Sequence, residues 1–261
     1  MDHRFGSGGH LLNAHLARPP MRADISRTPA VVLVHGYPSD VQDADQAAAA
    51  LPELADRLAS EMGWLALAVA LRGCGGSEGS FSLAGWLEDL RTSVAHVQAD
   101  GPVSGVWLVG FGTGGALAVC AAADEPSVRG VAALGAPADF DDWATHPRRL
   151  LEHARDVGII DDPLFPPSVE AWAKELKELK AVEAVKRLAP RPLLVVHGSD
   201  DDLVPAYDAR VLVDAHGSAE LRMINGAGHR LRHDPRAVAV LLGWLDRQRH
   251  RRADGDIARI S

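Results

Sequence analysis

The chain has 261 residues, of which 47% are hydrophobic and 24% charged, with a formal net charge of -8. That is the balance of a globular protein with enough apolar material for a core, and an acidic chain without a Lys/Arg-rich face is not expected to bind nucleic acid. Two cysteines, Cys74 and Cys120, exclude a disulfide framework; the first twenty residues carry His3, Arg4, His10, His15 and Arg18 rather than a signal-like apolar run, and no stretch is apolar enough to span a bilayer, so a cytoplasmic location is expected.

In chain order, residues 10–17 are predicted as an antiparallel edge strand and residues 30–35 as the first buried strand. Leu51, Leu54, Ala55, Leu58 and Met62 then repeat at helical spacing, one apolar face of an amphipathic helix. Residues 64–69 give a second strand, and Trp86, Leu87, Leu90, Val94 and Val97 a second helix. Strands follow at 106–110, 130–134 and 192–197, with a weaker one at 220–224. Apart from the weaker last one, the internal strands are apolar throughout rather than alternating, as expected of parallel strands covered on both faces. The closing helix carries Val238, Leu241, Leu242 and Leu245 after the start signal Asp234-Pro235, and the basic run 247–252 is expected at its end.

This alternation predicts an α/β fold, a mostly parallel doubly wound sheet with ligands bound at the carboxyl ends of its strands. One interval breaks the rhythm: residues 138–188 hold helical segments near 146–157 and 168–188 with no strand, a small helical cap. A single domain over 1–251 and a disordered tail over 252–261 complete the expected organisation.

The strand ends carry the chemistry. The first is followed by His35-Gly36-Tyr37, the second by the glycine-rich loop Gly73-Cys74-Gly75-Gly76-Ser77, and the third by Gly110-Phe111-Gly112-Thr113-Gly114-Gly115. The fifth ends in Gly198-Ser199-Asp200-Asp201-Asp202-Leu203-Val204-Pro205, and the sixth in Gly226-Ala227-Gly228-His229. In this order the motifs resemble the α/β-hydrolase fold superfamily, nearest to serine-aminopeptidase-like and dienelactone-hydrolase-like esterases and lipases, from about residue 30 to residue 245.

The resemblance implies a strand-to-helix nucleophile elbow G-x-S-x-G at 110–114, an acid at Asp201, a base at His229, and an oxyanion hole made by the backbone amides of Tyr37 and Thr113. It implies neither a metal nor a cofactor. The sequence departs from it at one place, since glycine stands at 112 where the family's serine would be. Glycine cannot be acylated, so the covalent mechanism fails at its first step. Glycine also adopts without strain the backbone angles that such a turn imposes.

Other readings of these residues are weaker. Gly110, Gly112 and Gly115 also fit a dinucleotide fingerprint, but the end of the next strand, Leu134-Gly135-Ala136-Pro137, offers no carboxylate for a ribose. Thr113, Cys74 and Ser77 are read as turn or core residues rather than replacement nucleophiles. His35, His146, His153, His197, His216 and His233 have no metal-ligand spacing and are read as structural or solvated.

Two functions follow as expectations. One is a protein without ordinary serine-esterase chemistry that binds a small apolar or carbonyl-containing molecule, with oligomeric state left open. The other is an enzyme that uses His229, oriented by Asp201, as a general base. If Gly112 were an engineered replacement of serine, the natural gene would show it.

Overall fold

The computed structural model describes residues 2–20, 28–45, 49 and 51–257. Strands β1 (His3–Ser7), β2 (His10–Ala17), β3 (Ala30–Val34), β4 (Leu65–Val69), β5 (Val106–Phe111), β6 (Val128–Leu134), β7 (Leu193–Gly198) and β8 (Glu220–Ile224) form one sheet in the order β1-β2-β4-β3-β5-β6-β7-β8. The β1–β2 and β2–β4 pairs are antiparallel, and every later pair is parallel. The sheet is therefore mostly parallel, as the uninterrupted apolar runs imply.

Those runs supply two cores at once. In β3, Val32 and Val34 face one cluster while Val31 and Leu33 face the other. In β5, Leu108 joins the first and Trp107 and Val109 the second. Period-two geometry sends neighbouring side chains to opposite faces, so a strand covered on both sides must be apolar at every position. Helix α2 (Leu51–Met62) and helix α10 (Pro235–Ile257) cover the second face. Helices α3 (Leu83–Ala99), α4 (Thr113–Asp124), α8 (Ala181–Leu188) and α9 (Ala206–His216) cover the first.

The stretch expected as a cap divides. Helices α5 (Asp141–Thr145), α6 (Pro147–Asp156) and α7 (Val169–Glu178) pack on one another, and α7 touches α3. Helix α8 packs instead along α4 and α9, as one of the sheet's own flanking helices.

Three further differences have simple physical reasons. Residues 10–17 form an internal strand, because the short β1 pairs outside it and takes the edge. Strand β1 has few inward-facing side chains, among them Phe5, and so gives little hydrophobic pattern to read. Helix α1 (Val41–Asp45) is a single short turn held by Asp40, which accepts from the Asp43 amide at 2.7 Å. Helix α10 runs to Ile257, which puts the basic run inside it and not at its end; residues 258–261 of the expected tail lie outside the described residues.

A buried ion pair ties β1 to the loop after β4 and to α3. Asp89, fully buried, accepts from Arg72 Nη2 at 2.7 Å, Arg72 Nε at 3.0 Å, the Arg72 amide at 3.0 Å and Ser7 Oγ at 2.7 Å. Removing one charge of such a pair strands the other in a poorly solvated place. Asp89→Asn is expected to lower unfolding free energy by about 3–5 kcal/mol, read as a lower midpoint in urea at unchanged slope.

Candidate active site

The glycines at the end of β5 explain the local geometry. A Cβ on Gly110 would lie 2.2 Å from the Gly114 carbonyl oxygen, and one on Gly114 would lie 2.2 Å from the His35 carbonyl oxygen. Both positions must lack a side chain for the strand to turn into α4 while lying against the end of β3. Gly36 is pressed in the same way, with a Cβ there 2.9 Å from the Phe111 carbonyl oxygen. The close approach thus places the Gly36–Tyr37 loop beside Gly112.

Gly112 is of another kind. It caps α4 with φ 53° and ψ -127°, a conformation costly for any residue with a side chain. The tight contact here is with a side chain: a Cβ would meet His229 Nε2 at 3.2 Å, so the imidazole must give slightly, and the nearest backbone atom, the Gly36 Cα, lies at 3.6 Å. The direction in which a residue at 112 would extend is the direction of the imidazole.

His229 is held from behind. Its Nδ1 lies 2.9 Å from Asp201 Oδ2, and a carboxylate can only accept, so Nδ1–H donates and Nε2 is left as the basic nitrogen. The Asp201 carboxylate is fully buried; its other oxygen accepts from the amides of Leu203 at 3.0 Å and Val204 at 2.9 Å. Burial works against its charge, but the His229 bond and these amides win and hold its pKa below the ordinary carboxylate value.

Two loops must meet for this pair to form, and Gly198 lets them. A Cβ on Gly198 would lie 2.2 Å from the Ala227 carbonyl oxygen, while Asp200 N donates to that same oxygen at 2.9 Å. The loop after β7 and the loop after β8 are thereby stitched together, with Gly226 N donating to Ser199 Oγ at 2.7 Å.

Two histidines read as merely structural prove to brace the site. His35 is buried; its Nε2 accepts from Leu71 N at 3.0 Å, and its Nδ1–H donates to the Gly36 carbonyl at 2.8 Å. His197, also buried, donates from Nε2 to the Val204 carbonyl at 2.9 Å and lies 3.4 Å from Asp201 Oδ2. The signal available in the sequence was position: His35 directly follows β3 and His197 is the next-to-last residue of β7, at the carboxyl ends of parallel strands where polar groups gather.

Tyr37 lines the space in front of Gly112, and Thr113 follows Gly112 as the first residue of α4; among the described residues neither backbone amide has a hydrogen-bond partner in the protein. The Tyr37 ring turns toward the cap, packing on Phe81 and Trp143 with centroids 5.1 and 4.9 Å away, and its hydroxyl meets His153 Nδ1 at 3.1 Å. Ser77, one of the alternative nucleophiles, is occupied: its hydroxyl donates to the Ala70 carbonyl at 2.7 Å and accepts from Asn13 N at 2.8 Å. Cys74 is buried on the glycine-rich loop and Thr113 is buried as the first residue of α4. Among the described residues no three or more His, Cys, Asp or Glu side chains converge as metal ligands, and no helix is long and apolar enough to cross a membrane.

The space itself is small. The cleft bounded by Gly36, Tyr37, Gly112, Leu203, His229 and Arg230 holds about 40 Å³, roughly the share of liquid volume of one water. On the far side of Leu203 and His229 a more open groove of about 480 Å³ continues over Gly228, Arg230 and Asp234.

This sheet, elbow and pair of strand-end loops define the α/β-hydrolase fold, and the chain belongs to the alpha/beta hydrolase family, which it matches over residues 31–241. It is 24% identical over 190 residues to Esterase LipC of Mycobacterium tuberculosis, covering 62% of this chain and 46% of that protein. The chain thus spans about half the length of the curated relative it matches. Among solved structures, the alpha/beta hydrolase GrgF from Penicillium sp. sh18 superposes with a TM-score of 0.71 at 21% identity, covering 94% of this chain and 96% of that one. Est1E from Butyrivibrio proteoclasticus gives a TM-score of 0.69 at 18% identity, covering 98% of each chain. At such identities the likeness shows the fold.

Two outcomes follow from the geometry. Gly112→Ser is expected to cost about 1–3 kcal/mol of stability, because serine must take a positive φ, and its unfolding midpoint measures that cost. The second concerns acid. Burial drives the His35 pKa from 6.5 down to about 4, against the raising effect of the Gly36 bond. The folded state then binds fewer protons than the unfolded one between these values, so stability falls as pH drops from 6.5 toward 4. His35→Gln is expected to remove about 3 kcal/mol of that dependence, seen by comparing denaturation of the two proteins at pH 7 and pH 4.

Proposed function

We propose that this chain is a hydrolase-scaffold protein without serine chemistry, which binds a small carbonyl-containing molecule noncovalently at the Gly112 cleft. The observation that carries the reading is the direction of the vacant side-chain position: it points at His229 Nε2 from 3.2 Å, and glycine offers no atom to acylate. What supports a carbonyl ligand is the pair of unpartnered amides, Tyr37 and Thr113, beside a basic imidazole nitrogen. Two converging N–H donors suit one oxygen with partial negative charge.

A second reading is favoured by the Asp201–His229 bond itself. A binding surface has no evident need for a buried carboxylate that fixes one imidazole nitrogen as donor and leaves the other basic. On this reading His229 Nε2 takes a proton from water held in the cleft. The water oxygen attacks the carbonyl carbon, and the Tyr37 and Thr113 amides hold the oxygen that gains the negative charge. The leaving group departs with the proton returned from His229. The water-sized volume at Gly112 is suited to that role.

Hydrolysis of a p-nitrophenyl ester series separates the readings, using the chain as it stands, His229→Ala, Gly112→Ser, and the double variant. On the first reading the unaltered chain matches the His229→Ala background. Gly112→Ser then gains turnover of at least ~10²-fold over that background, which vanishes in the double variant. Turnover by the unaltered chain that disappears in His229→Ala would establish the second reading and overturn the first. If Gly112→Ser stays silent and the unaltered chain is inert, both are wrong about the site.

A further inference from the structure

The cleft carries more positive charge than its own acids use. Arg230 and Arg232 follow His229 directly, and both line the space in front of Gly112. Arg232 is committed: its guanidinium pairs with Asp43 at 2.5 Å, both side chains largely buried, and its Nε donates to His233 Nε2 at 3.0 Å. Asp43 is committed in turn, since Oδ2 accepts from Ser39 N at 3.0 Å. Asp40 holds the first turn of α1 through the Asp43 amide.

Arg230 is different. Among the described residues its guanidinium has one hydrogen bond, to the hydroxyl of Ser39 at 3.0 Å, and no carboxylate within ion-pairing distance. Arg18, Arg91, Arg187 and Arg236 each sit against an acid at 3.0 Å or less; among the described residues Arg129, Arg148 and Arg210 have no ion pair either, but they do not line the Gly112 cleft as Arg230 does. Arg230 also borders both the cleft and the open groove beside it, so a molecule entering from solvent toward Gly112 passes its planar fork.

We propose that Arg230 determines specificity by pairing with a carboxylate carried by the ligand, so that the molecule held at Gly112 is a short acyl compound with an acid group a few bonds from its carbonyl. The inference rests on the Gly112 cleft being the ligand site, as argued above, and adds the ligand's charge. A guanidinium presents parallel N–H donors that match the two oxygens of a carboxylate. The Ser39 hydroxyl holds the fork in position without neutralising it.

The test uses two probes of like size, p-nitrophenyl hydrogen glutarate and the neutral p-nitrophenyl valerate, with Gly112→Ser supplying turnover. Its ratio of kcat/KM, acid over neutral, is expected to favour the acid ester and to fall roughly 10- to 100-fold in Gly112→Ser with Arg230→Gln. Arg230→Lys in the same background restores part of that ratio, because it returns charge without the fork. A ratio that Arg230→Gln leaves unchanged overturns the proposal.

Binding of monomethyl glutarate to the chain as it stands, followed by calorimetry, gives a readout free of turnover. Affinity is expected to weaken at least ~10-fold on Arg230→Gln. Arg230-dependent binding with a silent Gly112→Ser would keep the specificity role and discard the serine-hydrolase geometry at Gly112. Binding that is absent, or equal in both proteins, would overturn the role of Arg230.

Discussion

Close contact between backbones, made possible by missing side chains, sets the whole candidate site. Gly110 against the Gly114 carbonyl, Gly114 against the His35 carbonyl, and Gly36 against the Phe111 carbonyl leave no room for a Cβ at any of the three. Together they fold β5 sharply into α4 and press the end of β3 against that turn. Gly198 against the Ala227 carbonyl does the same for the loops that bring Asp201 and His229 together. Packing at this density transmits position rather than cushioning it, so four glycines fix where the Gly36–Tyr37 loop, the β5–α4 turn and the loop carrying His229 stand. Gly112 is not pressed by backbone in this way, since a Cβ there would meet the His229 ring first, and its glycine answers to backbone angle instead.

The polar side of the site obeys a complementary rule. A buried group needs partners, and each buried polar residue near Gly112 is tied to a loop that must hold still. Asp201 is kept charged, despite burial, by His229 and by two amides of its own turn. His35 and His197 use ring N–H groups to hold the carbonyls of Gly36 and Val204. His35 thereby links the end of β3 to Leu71 on the neighbouring loop, and His197 sets the turn that carries Asp201. Neither touches the space in front of Gly112, but both define where its walls stand.

How much of this was legible beforehand depended on which force shaped each part. Strands covered on both faces must be apolar at every position, so β3, β4, β5, β6 and β7 announced themselves, and their carboxyl ends named the residues to examine. The long amphipathic helices were equally plain. Strand β1, with Phe5 the bulkiest of its few inward side chains, and α1, a single capped turn, had too little pattern to read. Helix α9 escaped as well, though Pro205 ahead of it and Gly217 in a left-handed cap behind it were fair signals. The bracing by His35 and His197 was illegible because it depends on what lies across the sheet, which spacing along the chain does not encode. The cap was legible as an interruption but not as a divided one, since the apolar face of α8 looks the same whether it meets α4 or covers a pocket.

The cap also bears on what the site accepts. Trp143 and His153 rest against the Tyr37 ring, and the cleft at Gly112 holds about 40 Å³. A purely apolar ligand larger than a few atoms would need the cap to move, and would then sit beside Arg230, which has no acid partner among the described residues, with nothing to offer its charge. Covering that guanidinium with hydrocarbon is costly. A molecule that enters by the open groove past Leu203 meets the opposite situation. On the proposed reading its acid group would meet the Arg230 fork, which lines both the groove and the cleft, while its carbonyl lies nearer Gly112. A cation without an acid partner beside the cleft is therefore a reason to test acyl acids ahead of the apolar ligand that the surrounding aromatic residues would suggest.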